Sequence, residues 1–420
     1  MYYIIEHIFY HKGNIINMEK KNAVDLSALR WGYLTLCTLL LLFLGLIYAW
    51  SVFRIPLETE FGWAPSQASL VFSVSMMLFC LGGLVSGMMQ KRFSIRVTVI
   101  CSAVCMLAGF SAASMAKGLV GICCTYSLLC GLGVGLGYNA CLSVVMSWFP
   151  DKKGLVSGIA LMGFGFGGMV FGTLSANLIG SIGWRKTFLI FGLVFFAVIL
   201  IGAFILKIAP GEFAAKMSAG GKAKASLRDM NWKEMIRQKQ FWLYFIWAII
   251  LSAAGLAIMN EAASFAQCFV GDNLARAAAL AGMVSIANGV GRIIFGQLFD
   301  KIGYRKTMLA VCAMFICASA ALLAANGTMS IPVLAAGFIF LGLAYGGVTP
   351  TNSAYASYFF GSKNYAFNFS LVNLNLIIAS YLGPACGSLS YSGTFLVIMA
   401  FAVIGIAITI GIKEWKKGEA

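Results

Sequence analysis

The chain has 420 residues, of which 60% are hydrophobic and only 10% are charged. Soluble domains carry about 25% charged residues, so this composition excludes an ordinary soluble protein and indicates a polytopic membrane protein. The formal net charge of +16 could indicate a nucleic-acid-binding protein. The distribution of the basic residues along the chain indicates membrane topology instead.

Twelve apolar stretches are each long enough to cross a bilayer as a helix. One long, basic connection at 209–238 divides them six and six, and its second half is expected to form a surface helix. Residues 1–17 fit poorly with the rest of the chain, and we expect the protein to start at Met18. The predicted organisation is a tail (1–30), a six-helix bundle (31–208), a linker (209–238), a second six-helix bundle (239–412) and a tail (413–420). The spans lie near 31–56, 66–89, 97–116, 119–146, 154–182, 187–208, 239–264, 275–299, 307–325, 331–358, 365–391 and 393–412.

The basic residues are distributed asymmetrically about these spans. Of the 30 Lys and Arg residues, all but six fall on one side of the predicted membrane. This is the positive-inside pattern, so the basic side and both termini are predicted to be cytoplasmic in a multi-pass protein of the plasma or inner membrane. The exceptions are five residues on the opposite side and one inside the membrane: Arg54, Lys117, Arg185, Lys186, Arg276 and Arg292.

The twelve cysteines lie mostly in apolar runs without CxxC or Cys/His spacing, so we interpret them as packing residues rather than disulfide or metal-binding residues. No metal or cofactor is predicted. The glycine-rich run GFGFGG comes after no strand and lies in a membrane span, so it is interpreted as a helix-packing segment and not as a nucleotide loop.

Arg292 is the only cation near the middle of a predicted span. A charged residue at the bilayer centre costs about 2.5–3.5 kcal/mol on insertion scales, and residues in this position are functional by default. Because the guanidinium does not lose its proton, an anionic ligand or a protein partner must compensate it. The alternative is a purely structural arginine bonded to backbone carbonyl groups or to Glu261.

A short basic sequence recurs after the second span of each half. It reads GMMQKRFSIR from Gly87 and GQLFDKIGYRK from Gly296. Two six-helix halves with internal symmetry are typical of secondary transporters, whose binding site lies between the halves. The fold class is therefore an all-α membrane protein with twelve transmembrane helices in two pseudo-symmetric bundles.

The second copy resembles the cytoplasmic loop motif of the major facilitator superfamily, which ties helix ends together by charge and helps to set the inward and outward states. The first copy departs from it, because Lys91 replaces the aspartate and Ser94 replaces the glycine, which indicates asymmetric gating. Asp300 is expected to pair with cations or with a helix N-terminus, and Gly303 to permit a tight turn. The gating residues implied by the resemblance are Gly296, Asp300, Lys301, Gly303 and Arg305.

Five further stretches resemble the oxalate/formate antiporter family, which is related to the monocarboxylate transporters. In that family the arginine of span 8 binds the substrate carboxylate, and this role carries onto Arg292. Oxalate carriers of the family also have a lysine in span 11, which would fall near Asn375 or Leu376 but is absent. Proton-coupled relatives have an aspartate at the position of Asn288. The stretches are GLIYAWSVF with FGW (45–63), SWFPDKKG (147–154), GWRKTF (183–188), IANGVGR (286–292) and KNY (363–365).

These features predict a secondary carrier for small organic anions, monocarboxylates such as formate, lactate or pyruvate, working by alternating access and exchange. The alternatives are an oxalate/formate antiporter proper and a non-transporting anion sensor of the same fold. We expect a monomer in contact with lipid, no nucleic acid and no enzyme activity. Glu261 is the candidate coupling residue. The predicted substrate-binding residues are Arg292, Tyr48, Tyr345, Tyr138, Asn139 and Asn288.

Overall fold

The computed structural model describes residues 26–220, 228–271, 274–387 and 389–415. In this part of the chain, twelve helices are long and apolar enough to cross a membrane, which confirms the predicted number of spans. They are α1 (Leu26–Phe61), α2 (Pro65–Arg92), α3 (Ile95–Ser114), α4 (Leu119–Trp148), α5 (Lys153–Ile182), α6 (Trp184–Ile205), α7 (Lys239–Val270), α8 (Leu274–Ile302), α9 (Tyr304–Thr328), α10 (Ile331–Phe360), α11 (Tyr365–Gly387) and α12 (Tyr391–Gly411).

The boundaries differ from the sequence-based ones mainly at α1, which begins at Leu26 inside the predicted tail. This helix also changes to a 3₁₀ conformation at Gly45–Ala49. In the linker, helices form at Gly211–Gly220 and Trp232–Ile236, so a helix occurs in the first half as well as in the second half where one was predicted. Residues 1–17 lie outside the described residues.

The two halves repeat the same helix packing. In the first half α1 packs on α5, α2 on α4 and α3 on α6, and in the second half α7 packs on α11, α8 on α10 and α9 on α12. Each pair of the first half corresponds to a pair six helices later. The halves meet through α5 against α8 and through α2 against α11, which are again equivalent helices. The fold is thus a bundle of twelve long helices in which the second half repeats the packing of the first half.

Glycines allow the closest of these contacts, as expected where helices pack without a hydrophobic driving force. A methyl group at Gly163 or Gly167 of α5 would overlap backbone carbonyl oxygens of α1, and one at Gly135 of α4 would overlap the carbonyl oxygen of Phe79 in α2. The glycine-rich run of α5 is therefore a packing surface.

The two halves are joined at the ends of the helices that carry the loops 91–96 and 301–306, here called the basic side. A methyl group at Gly154 would overlap the carbonyl oxygen of Gly296, and one at Gly87 would lie within 2.7 Å of the Phe367 Cα atom. Ser370 of α11 is buried opposite Gly83 of α2. The structure is therefore closed on the basic side.

The linker is attached to the second half. The Met230 amide donates to the Phe360 carbonyl oxygen at 3.1 Å, and the Asn364 and Asn368 side chains donate to the Met230 carbonyl oxygen at 3.1 and 2.9 Å. The Met230 side chain is buried. The end of the linker thus runs along the turn between α10 and α11.

Candidate functional site

Arg292 lies on α8 with only 5% of its surface exposed. Its Nε atom donates to Oδ1 of Asn288 at 3.1 Å, one turn earlier on the same helix. One terminal nitrogen donates to the backbone carbonyl oxygen of Leu161 on α5, in the opposite half. The Asn288 amide group in turn contacts the sulfur of Met259 on α7 at 3.5 Å. Arg292 therefore sits at the interface between the halves, held from both of them.

No carboxylate pairs with Arg292 among the described residues, whose ion pairs join other arginines. A guanidinium carries more N–H donors than the two protein oxygens accept. The remaining donors can bind an anion, and a planar fork of donors matches a carboxylate in a bidentate manner. Its protein hydrogen bonds go only to neutral oxygens, which do not compensate the charge of a buried cation.

Aromatic side chains form a cluster near this cation. Tyr48, on the 3₁₀ segment of α1, packs edge-on against Phe164 of α5 with ring centroids 5.3 Å apart. Tyr138 of α4 packs against the same Phe164 ring at 4.9 Å and faces Phe369 of α11 at 6.2 Å. Such residues provide apolar walls with polar tips, which is the usual lining of a small-molecule site.

The hydroxyl groups of three tyrosines lie within electrostatic range of the Arg292 guanidinium. These tyrosines are Tyr48, Tyr138 and Tyr345. The Tyr345 ring of α10 lies against Gly255 of α7, where a methyl group would overlap it. The structure therefore brings the three predicted tyrosines to the predicted arginine, although they come from α1, α4 and α10. Phe164 and the Leu161 carbonyl group were not predicted, because a backbone oxygen or a packing phenylalanine carries no sequence signal.

Asn139, one of the predicted substrate-binding residues, makes hydrogen bonds to both halves in this structure. It is 1% exposed, and its side-chain nitrogen donates to the carbonyl oxygens of Gly83 at 2.7 Å and Ala366 at 2.8 Å. Ala366 belongs to α11, so this amide joins the two halves. In the conformation closed on the basic side its donors are occupied by backbone oxygens and are not free for a substrate.

Glu261 lies toward the end of α7 opposite the basic side. Its Cγ atom is 3.5 Å from a methyl group placed at Gly387, near the end of α11, and its carboxylate acts electrostatically on Tyr391 at the start of α12. Within the described residues no hydrogen bond or ion pair connects Glu261 to Arg292. The two groups therefore do not form a buried pair.

The two α11 residues singled out in the sequence are Asn375 and Leu376. Asn375 is fully buried, donates to the Val372 carbonyl oxygen at 2.6 Å and accepts a hydrogen bond from Ser252 of α7 at 3.3 Å. The helix is interrupted at Leu374, between the segment Tyr365–Asn373, whose Phe369 faces Tyr138, and the segment Asn375–Gly387, near the start of which Leu376 is buried.

Asp300 binds the N-terminus of α5. Its two carboxylate oxygens accept hydrogen bonds from the backbone amides of Gly154 and Leu155, both at 2.8 Å. A carboxylate at this position satisfies otherwise unpaired amides and interacts favourably with the positive end of the helix dipole. The sequence left cations and a helix N-terminus as possible partners of Asp300. The structure shows the helix N-terminus, and this helix belongs to the other half. Gly303 has a φ angle of 82°, which suits glycine at this turn.

The first copy of the loop motif makes a different contact. The Lys91 ammonium group lies 4.5 Å from the centre of the Phe367 ring at the start of α11. The carboxylate near this helix start comes from the linker instead, where Asp229 accepts a hydrogen bond from the Lys363 amide at 3.2 Å. Lys153, at the start of α5, is buried and donates to Ser362 at 3.3 Å. The two copies of the loop motif therefore make chemically different contacts.

Replacing Asp300 by asparagine is expected to loosen the basic side and to lower transport several-fold. One oxygen would become an NH₂ group facing a backbone N–H donor, and the charge interaction with the helix end would be lost. Uptake into proteoliposomes and the thiol accessibility of a Ser370→Cys variant measure the two effects. Asp151→Asn is the matched control, because Asp151 pairs with Arg30 within one half at 2.9 Å. Unchanged uptake and accessibility in Asp300→Asn would contradict a gating role.

The amino-acid sequence matches the family model described as Major Facilitator Superfamily over residues 35–384. It is 28% identical to the uncharacterised MFS-type transporter YhjX of Escherichia coli over 80% of this chain and 82% of that protein. It is 26% identical to the oxalate:formate antiporter of Oxalobacter formigenes over 93% of both chains. Monocarboxylate transporter 6 of Homo sapiens is 29% identical over 38% of this chain and 31% of that protein.

Solved structures show the same fold. The proton:xylose symporter XylE, bound to 6-bromo-6-deoxy-D-glucose, superposes with a TM-score of 0.71 at 14% identity, covering 92% of this chain and 96% of that one. The transporter FucP in its outward conformation gives a TM-score of 0.65 at 15% identity, covering 91% of this chain and 99% of that one. These likenesses confirm the predicted fold class.

Proposed function

The chain belongs to the Major Facilitator Superfamily, and from this premise we propose that it carries small monocarboxylate anions across the membrane by alternating access and exchange. As a member of this family it is a multi-pass membrane transporter and not an enzyme. The observation that carries the proposal is the buried Arg292, which is bonded only to neutral oxygens and has three tyrosines within electrostatic range. The substrate carboxylate completes this site by neutralising the guanidinium.

The charge of the site favours a monoanion. Span α11 contains no lysine or arginine, so a bound dianion would leave one carboxylate without a cation in a poorly solvated cavity, at a cost of a few kcal/mol by general estimates for unpaired charges. A monoanion such as formate, lactate or pyruvate leaves the site neutral. A neutral loaded site also favours moving between states with substrate bound, which exchange requires.

The relatives support an anion as substrate, because their names include an oxalate:formate antiporter and a monocarboxylate transporter. The match to the antiporter extends along 93% of both chains, which makes oxalate/formate exchange the second candidate. Asn288 cannot titrate, so a proton route through that position is excluded. We propose Glu261 as the remaining coupling candidate, acting from the end of α7 and not through contact with Arg292.

We further propose that the basic side is cytoplasmic, in accordance with the positive-inside rule. The closed basic side then corresponds to a state in which substrate has no path to the cytoplasm. Asp300, Gly296 and Gly303 are proposed to control this closure together with Lys301 and Arg305. The membrane is proposed to be the plasma or inner membrane.

Competition among anions tests the proposed substrate class. The wild-type protein in proteoliposomes is expected to take up labelled formate, lactate or pyruvate in preference to oxalate. Higher affinity for oxalate than for each monocarboxylate would show that the one-cation argument is wrong and would favour the antiporter activity. Uptake of none of these anions, with specific binding retained, would favour the sensor alternative.

Introducing a second cation at Leu376 is expected to shift the preference toward oxalate. We propose that Leu376, rather than Asn375, lies close enough to the anion site for this effect, because Asn375 accepts a hydrogen bond from Ser252 of α7. Leu376→Lys should lower the apparent affinity for pyruvate and raise that for oxalate, measured by competition against one labelled anion. Leu376→Gln is the control of similar length without charge. Equal preferences in the lysine and glutamine variants would contradict the placement of Leu376 at the anion site.

A further inference from the structure

The guanidinium group of Arg292 rests on a glycine of the opposite half. A methyl group placed at Gly165 of α5 would lie 3.1 Å from the central carbon, 3.1 Å from one terminal nitrogen and 3.3 Å from the other. The three distances are nearly equal, so the face of the planar group and not its edge covers Gly165. Any side chain at position 165 would occupy this space.

Arg292 cannot move aside easily. Its Nε atom is bonded to Asn288 and one terminal nitrogen to the Leu161 carbonyl oxygen, one turn before Gly165 on the same helix. A side chain at position 165 would therefore stretch or break one of these bonds, although contacts of 3.1 Å by themselves require a shift of only a few tenths of an ångström. The position of the guanidinium is thus fixed by α5 as well as by α8.

We propose that Gly165 is a positioning residue for anion binding, which rests on the proposed role of Arg292 as the carboxylate ligand. Gly154, Gly158 and Leu161 lie on the same face of α5, and Gly158 lies against the Arg292 backbone carbonyl oxygen. This face leaves α8 when the basic side opens, so Arg292 then loses the Leu161 oxygen and its support at Gly165. Closure of the basic side therefore fixes the guanidinium group in the position that binds the carboxylate. Opening of the basic side removes these contacts and frees the guanidinium group to move.

Substitutions of graded size test the role of Gly165. Gly165→Ala is expected to raise KM for uptake of the preferred monocarboxylate among formate, lactate and pyruvate by about five- to tenfold, with little change in kcat. Gly165→Val should raise it further. Gly172→Ala is the matched control, because a methyl group there meets α1 atoms only at ordinary distances of 3.8 Å. An unchanged KM in Gly165→Val would overturn the proposal.

A double-mutant cycle separates this contact from a general effect on folding. Gly165→Ala should lower Tm of the purified protein when Arg292 is present and should have no such effect in Arg292→Ala, where the space is free. Equal effects in both backgrounds would overturn the contact. If Arg292→Ala itself keeps the anion affinity of the wild type, the proposed function fails; if it loses that affinity while Gly165→Val keeps it, only the positioning role fails.

Discussion

Arg292→Ala is expected to abolish anion binding while the protein still inserts and folds. Each hydrogen bond to a charged group contributes about 1.5–3 kcal/mol. Losing both bonds of a bidentate pair therefore corresponds to a reduction in affinity of about a hundredfold or more. Arg292→Lys should also bind poorly, because a single ammonium group does not replace the planar fork of donors. Ligand-induced shifts in Tm and proteoliposome uptake measure both effects.

The structure indicates why folding should survive the loss of this arginine. Leu161 retains its place in the α5 helix, and the contacts between α5 and α8 through Gly154, Gly158 and Gly296 do not involve the Arg292 side chain. Arg228→Ala, at an exposed residue of the linker, controls for the loss of one positive charge. Wild-type affinity in purified Arg292→Ala would exclude Arg292 as the carboxylate ligand.

Gly154→Val and Gly296→Val are each expected to abolish transport by preventing closure of the basic side. In both cases the added carbon would overlap a backbone carbonyl oxygen of the other half, and a backbone cannot rotate away as a long side chain can. In either variant the two halves must move apart to make room for the added side chain, so the closed state becomes unfavourable. A carrier that cannot reach one of its two states cannot complete the transport cycle.

Two measurements distinguish this effect from misfolding. Uptake should fall to background, and a cysteine at position 370, buried against α2 in the closed state, should become accessible to a maleimide in a background without other exposed thiols. Gly180→Val in α5 and Gly282→Val in α8 are matched controls, because a methyl group at either position would meet no atom within 4 Å beyond its chain neighbours and the backbone of its own helix. Normal uptake in Gly154→Val would show that this contact is not required.

Much of the site is distributed over residues far apart in the chain. Leu161 lies 131 positions from Arg292, and Asp300 lies 146 positions from Gly154. The sequence showed that Arg292 and Asp300 are charged groups that need partners. It did not show which partners, because a backbone carbonyl or amide group is present at every residue and leaves no trace in the choice of side chain.

The sequence also did not predict how each helix is rotated about its own axis. In a soluble helix the polar face indicates the outside, but lipid is as apolar as the protein interior, so transmembrane helices carry little periodic signal. This is why the sequence did not show that Asn139 joins α4 to Gly83 and Ala366. It is also why the sequence could not show that Asn375 is bonded to Ser252 of α7.

By itself the sequence determined the twelve spans, the division into two halves and the presence of one cation at bilayer depth. Hydropathy and charge suffice for these, because water and hydrocarbon differ so strongly as solvents for charged groups and for backbone polar groups. Only the tertiary structure decided that Arg292 is held by α5, that Asp300 caps a helix of the other half and that Glu261 lies away from both. These are contacts between helices of similar apolar character, and their pairing depends on shape, glycine placement and individual hydrogen bonds.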